Sequence, residues 1–156
     1  MDESPGADVT ARFEQFVLDV EPQLRRALAG HLAEGTVADA VAAALAYAWE
    51  HRDRVLDMER PAGYLYRVAQ TSVRRRKQGW LPWSGERELP DVEPGLPGAL
   101  AALPAGQAKA VWLVSACGWS QAEAADALGV SASTVSTQVN RGLIRLRTSL
   151  GVMTDG

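Results

Sequence analysis

The chain has one cysteine, Cys117, and two histidines among 156 residues. A single thiol closes no intrachain disulfide, so a disulfide scaffold is excluded and a reducing cytoplasm is the expected compartment. His31 and His51 stand apart, with no cysteine or carboxylate at metal-ligand spacing. Both read as structural or surface residues, and no metal site is expected. Long apolar runs are missing: each is cut by a charge, Pro or Gly before the ~18–20 residues of a membrane span. The opening MDESPGADVT is acidic, unlike a secretory signal peptide. A GxxxxGK[ST] phosphate loop and a GxSxG nucleophile elbow are also absent. The expectation is a non-enzyme with no catalytic residues and no cofactor. Cys117, at the end of an apolar helix, reads as a small buried hydrophobe.

Positive charge is scarce overall, with a formal net charge of −3. That average hides strong asymmetry, which is more informative than the total. Residues 1–49 carry −5, residues 50–77 carry +4, residues 78–103 carry −3 and residues 104–156 carry +1. The carboxylates of the first segment read as solvated faces.

What the sequence has is helical spacing. Phe13, Phe16, Val17, Val20, Leu24 and Leu28 mark one apolar helix face, with a kink or break expected at Pro22. Val37, Val41, Ala44, Leu45 and Ala48 repeat the pattern behind Thr36, an expected N-cap. Pro61 suits the first turn of a third helix, whose inner stripe is Leu65, Val68, Ala69 and Ser72. No apolar–polar alternation suggests a sheet, so the expected fold is all-α. Segment 78–103 has the Pro, Gly and acid content of a linker rather than a helix. The expected organisation is a helical domain over 10–78, a flexible linker over 79–102 and a second helical domain over 103–151.

The second domain carries the clearest motif. Ala108, Val111, Trp112 and Val114 form an apolar helix ending at Gly118. Ser120 and Glu123 have capping-box spacing, Gly129 ends the short helix they open, and Ser131 can cap the next. Ala124, Ala127 and Leu128 line the first of these helices; Val135, Val139, Leu143 and Leu146 line the second. Helix, glycine turn, helix is the helix-turn-helix pattern. The last helix turns Ser133, Ser136, Thr137, Asn140 and Arg141 away from its apolar stripe. Gln138 and Asn140 can each read adenine through two hydrogen bonds. Arg141, Arg145 and Arg147 are placed for phosphates. A solvated polar helix face is the plainer reading of the same residues.

A second basic place comprises Arg67 and the run Arg74, Arg75, Arg76 and Lys77. It fits a solvated helix end as well as a nucleic-acid contact. Its neighbours Tyr64, Tyr66 and Trp80 favour the contact, because aromatic rings stack on unpaired bases. Trp49 and Trp112 fall in apolar stripes and are expected in the core.

These residues resemble the bacterial RNA polymerase sigma factors of the extracytoplasmic-function type, over about residues 12–150. LPAGQAKAVWLV is similar to the family's LPxxxRxVxxL opening of region four. SQAEAADALGVSASTVSTQVNRGLIRLR is similar to its SxxEIAxxLGxSxGTVxSRxxRAxxxLR. TVADAVAAALAYAWEHRDRV resembles the core-binding DAEDLVQEVFLRLWR, and RPAGYLYRVAQTSVRRRKQ resembles PRAWLYRIARNLALDRLRR.

The resemblance implies a subunit that directs core RNA polymerase, through its beta and beta-prime subunits, to promoter DNA. An anti-sigma factor is a further implied partner. Asp39, Ala42, Ala43 and Trp49 would face polymerase. Tyr64, Arg67, Thr71, Arg74, Arg75, Arg76 and Lys77 would meet the minus-10 element. Ser133, Ser136, Thr137, Gln138, Asn140, Arg141 and Arg145 would meet the minus-35 element. Ala42 and Ala43 stand where the family has Gln-Glu, Tyr64 where Trp is usual, Thr71 where Asn is common and Arg75 where Asp is common. The linker acids Glu86, Glu88, Asp91 and Glu93 would suit basic polymerase channels, or keep the linker extended and soluble. The alternative function is a sigma-like helix-turn-helix regulator that does not itself initiate transcription. The weak total charge implies promoter binding mainly within a larger assembly.

Overall fold

The computed structural model describes residues 5–30, 32–75 and 95–151. His31, Trp80, most of the linker, Arg76 and Lys77 lie outside these residues. The described chain is helical throughout, as expected: α1 (Pro5–Ala29), α2 (Glu34–Glu50), α3 (Arg52–Val55), α4 (Pro61–Arg75), α5 (Leu96–Ala101), α6 (Ala105–Val111), α7 (Gln121–Leu128) and α8 (Ala132–Ser149). A π-helical turn, Trp112–Ala116, extends α6.

The first lobe follows its apolar spacing. Val20, Leu24 and Leu28 of α1 are buried with Val37, Val41, Ala44 and Ala48 of α2 and Leu65 and Ala69 of α4. Three local expectations need correcting. Helix α1 runs through Pro22 as one element, so it is not divided into two pieces there. Its last turns are held by the buried Leu24, Ala27 and Leu28, and Gln23 Nε2 donates to the Asp19 carbonyl at 2.9 Å. Helix α2 starts at Glu34 behind Ala33, so Thr36 lies inside the first turn rather than at the cap. Residues 96–101, read by composition as linker, form α5. Pro97 falls at the start of this helix, where its missing N–H costs nothing, and Ala99 and Leu100 are buried.

In the second lobe the local rules hold. Ser120 Oγ accepts from Glu123 N at 3.0 Å and Gly129 turns with φ +69°. Ser131 Oγ accepts from Thr134 N at 3.1 Å and opens α8. The left-handed turn favours glycine, because a Cβ there clashes with the backbone. Val135, Val139, Gly142 and Leu146 face inward. At Gly142 a Cβ would stand 2.5 Å from Val111 Cγ2, so the glycine lets α8 approach α6.

The lobes also pack on one another. The Trp112 indole Nε1 donates to the Ala27 carbonyl at 3.1 Å and, at 3.3 Å, to that of Arg26. The Arg26 guanidinium reaches across to the Ala116 carbonyl at 3.1 Å. The fully buried Tyr66 meets the buried Trp119 edge-on, with ring centroids 5.8 Å apart. Helices α4 and α7 touch at Gly63, where a Cβ would lie 2.6 Å from the Glu123 carbonyl oxygen and 2.9 Å from Asp126 Cβ. Arg60 Nε donates to Asp126 Oδ2 at 2.9 Å at the rim of this contact.

Candidate nucleic-acid interface

Helix α8 carries the first candidate surface. Ser133, Thr137, Asn140, Arg141 and Arg145 are exposed along one side, opposite the buried Val135 and Val139. The Thr137 hydroxyl donates to the Ser133 carbonyl at 3.1 Å, leaving its oxygen as an acceptor toward solvent. Ser136 and Gln138 are half-buried on the flanks. Gln138 lies over α6, its Nε2 3.3 Å from where a Cβ at Gly106 would stand. Asn140 is therefore the freer of the two amides. Among the described residues, neither Arg141 nor Arg145 is paired with a carboxylate. Unpaired guanidinium groups along an exposed polar helix are the groups that bind phosphate oxygens.

The second surface lies at the junction of α2, α3 and α4. The Tyr64 and Tyr47 hydroxyls are 2.7 Å apart, and Arg54 donates to both, at 3.0 and 2.9 Å respectively. His51 stacks on Tyr47, with centroids 4.1 Å apart and planes tilted by 22°. The hydrogen bond from Tyr64 lowers the Tyr47 phenol pKa, with Arg54 adding to it; the same bond raises that of Tyr64. Arg67, Thr71 and Arg74 are exposed on α4, and the Thr71 hydroxyl donates to the Arg67 carbonyl at 3.0 Å. Arg75 ends α4. Tyr66, expected beside Tyr64, is fully buried against Trp119 and is unavailable for stacking on a base. The i,i+2 spacing explains this, because residues two apart point to different sides of a helix.

Asp39 and Ala42 are exposed on α2 and Ala43 is half-buried beside them. Trp49, expected in the core, is 40% exposed. It sits edge-on to Phe13 at 5.0 Å, with the Arg52 guanidinium 4.3 Å from its ring centroid. Trp112 is 1% exposed, as expected. Cys117 is half-buried, and burial pushes its thiol up to about 12. His51 is a surface residue. No group of His, Cys, Asp or Glu that could hold a metal occurs among the described residues. No helix there is long and apolar enough to cross a membrane.

Tyr47, Arg54, Arg26 and Trp119 were not singled out by sequence. Gly63 was legible in principle: a glycine inside an amphipathic helix marks a close approach of another backbone.

Comparison with known proteins gives one match by sequence and several by structure. Residues 96–146 match the model of "Sigma-70, region 4". The matched residues run from α5 into α8 and so lie in the C-terminal lobe. The match begins at α5, which joins that helix to the second lobe. Over both lobes the fold is similar to that of the sigma factor RpoE from Bartonella quintana, solved with the anti-sigma factor NepR. The TM-score is 0.69 and identity 24%, covering 90% of this chain and 98% of that one. It is also similar to CnrH, solved with the cytosolic domain of CnrY, with TM-score 0.63 and 24% identity over 91% of this chain and 89% of that one. Among curated proteins none matches the chain. The all-helical fold expected from sequence is thus borne out.

Proposed function

We propose that the protein is a sigma factor of the extracytoplasmic-function type, a non-catalytic subunit that directs core RNA polymerase to specific promoters. The observation that carries this reading is the exposed α8 face of Ser133, Thr137, Asn140, Arg141 and Arg145 on a sigma-70 region 4 domain. In this reading α8 enters the major groove of the minus-35 element. Asn140 reads base edges, with Ser133, Ser136, Thr137 and Gln138 beside it, and Arg141 and Arg145 take phosphates. Tyr64, Arg67, Thr71 and the Arg74–Lys77 run meet the minus-10 strand, where the Tyr64 ring is placed for an unpaired base. Asp39, Ala42, Ala43 and Trp49 meet the beta and beta-prime subunits. The half-exposed Trp49 supports this, since an aromatic ring with a cation over it is a common interface anchor. The work is cytoplasmic, where polymerase and promoter are. An anti-sigma factor is a further expected partner, as NepR is for RpoE.

The test is run-off transcription with purified core polymerase and a cognate promoter. Sigma-dependent transcripts are expected, and their absence across a range of salt overturns the reading. The exposed Ala42, where the family has Gln, favours a second reading: a sigma-like DNA-binding regulator that does not initiate. Co-elution with core polymerase supports the first, and DNA binding without polymerase affinity supports the second.

A further inference from the structure

We propose that Tyr47 and Arg54 are positioning residues for Tyr64: they hold its hydroxyl, fix the direction of its ring and so set how readily an unpaired base stacks on it. This rests on the minus-10 reading above and gives a role to two residues outside its contact set. Three polar groups from three elements close a triangle. The Tyr47 hydroxyl of α2 and the Tyr64 hydroxyl of α4 are 2.7 Å apart, and Arg54 Nη2 of α3 donates to them at 2.9 and 3.0 Å. The two corners that face Tyr64 are themselves held. The Tyr47 ring stacks on His51, with centroids 4.1 Å apart, and His51 Nδ1 is 3.0 Å from the Tyr47 carbonyl oxygen. Arg54 stands beside the fully buried Val55, and its backbone N–H donates to the His51 carbonyl at 3.0 Å.

The triangle fixes direction. Tyr64 is anchored at its Cα by α4 and at its hydroxyl by α2 and α3, so both side-chain torsions are held. A ring ordered in advance loses no rotamer freedom when a base stacks on it, whereas a ring free to turn must be ordered at that moment. The grip is at the hydroxyl end. The Arg54 guanidinium carbon stands 5.6 Å from the Tyr64 ring centroid, against 4.3 Å for Arg52 over Trp49, so Arg54 holds the hydroxyl without closing on the ring. The Tyr47 ring centroid is 6.0 Å from that of Tyr64 and its plane is tilted by 50°, so it does not take the place of a stacked base. Tyr47 and Tyr64 are half-buried and Arg54 is exposed, which puts the triangle at the surface, where a strand can reach it. Arg67, one turn further along α4, is exposed beside it for the phosphates of that strand.

The full chain and its variants are tested on a cognate promoter carrying a fluorescent adenine analogue in the minus-10 element, whose emission reports its stacking. In one assay the chain alone is titrated onto the single strand. In the other the polymerase holoenzyme is mixed with the duplex, and closed-complex affinity and opening rate are measured separately. Tyr64→Phe keeps the ring and loses the hydroxyl. Strand stacking and opening rate are each expected to fall about two- to tenfold, the factor for ordering one side chain on binding, with closed-complex affinity unchanged. Tyr47→Phe should fall in the same direction and cost nothing further beside Tyr64→Phe. Arg54→Met also removes a charge, so the loss that persists beside Tyr64→Phe and shrinks with added salt is electrostatic, and the rest is positioning. Arg54→Lys keeps a donor and should recover part of that rest. Thermal melts of each variant separate these losses from changes in stability. Wild-type stacking and opening by Tyr47→Phe, or equal losses with and without the Tyr64 hydroxyl, overturn the inference whatever the change in stability. So does a wild type that alters the emission in neither assay. If the wild-type holoenzyme opens no promoter while the single-strand losses vanish beside Tyr64→Phe, the promoter reading fails and the positioning stands.

Discussion

The indole N–H of Trp112 ends on the Ala27 carbonyl oxygen, 3.1 Å away and 85 positions earlier in the chain. Ala27 is in the last turn of α1, where carbonyls have no partner within the helix. The contact therefore satisfies a helix end in one lobe with a buried donor from the other. Trp112→Phe keeps most of the apolar bulk and removes the donor. A loss of about 1–3 kcal/mol is expected, because a buried carbonyl loses its partner. Trp112→Ala should cost about 3–5 kcal/mol through the cavity as well. Urea unfolding monitored by circular dichroism gives both values. A Trp112→Phe variant as stable as wild type would show that the hydrogen bond contributes nothing.

A second packing constraint lies at Gly142. With Val111 Cγ2 2.5 Å from the position of an added Cβ, Gly142→Ala forces α8 and α6 apart. The expected cost is about 1–3 kcal/mol, the range for overpacked cores. Val111→Ala removes the obstructing methyl groups. The double variant Gly142→Ala, Val111→Ala should therefore lose less stability than the two single changes added together. Thermal melts of the four proteins form the cycle, and strict additivity would exclude the steric account.

These examples show which parts of the fold were legible in sequence. The α7–Gly129–α8 unit was, because caps, glycine and apolar spacing are local and all agree. So was the start of α4 at Pro61. Helix α5 was not, because composition averaged its few apolar residues with the prolines around it. Trp49 and Tyr66 were misplaced for opposite reasons. Trp49 shares an apolar stripe but lies at its edge, where Phe13 covers only one side of the ring. Tyr66 sits beside a basic run yet turns inward, toward Trp119 from the other lobe. The contact between lobes joins residues 26 and 116, or 60 and 126, and no periodicity links such distant positions. The polar face of α8 was legible as a pattern, but the leaning of Gln138 over Gly106 depends on how α6 packs.

The paired phenols make a prediction in alkaline titration. The Tyr47 anion would be held by hydrogen bonds from Tyr64 and Arg54, so Tyr47 should ionise below an ordinary tyrosine. Once Tyr47 is ionised, Tyr64 gives up its proton only by losing the bond to it, so Tyr64 should ionise above an ordinary tyrosine. Ring-carbon chemical shifts followed from pH 8 upward should show the two apart. Tyr47→Phe should remove the lower titration and bring Tyr64 back toward the ordinary value. Arg54→Ala should move Tyr47 upward. Two coincident, ordinary titrations in the wild type would mean that the hydroxyl pair does not persist in solution.

On α8, Arg141 and Asn140 are neighbours in sequence with different expected roles. Arg141 is a phosphate ligand in the proposed reading, so Arg141→Ala should weaken binding about equally on all DNA sequences. Losing one phosphate contact should also reduce the slope of log K against log salt by about 0.9. Asn140→Ala should leave that slope unchanged but lose about 1–3 kcal/mol of preference at a single base position. Gln138→Ala should shift preference less, since its amide already leans on α6 at Gly106. The measurement is binding of the polymerase holoenzyme to promoter variants at several salt concentrations. If Arg141→Ala changed base preference while Asn140→Ala changed only the salt slope, the two assignments would have to be exchanged.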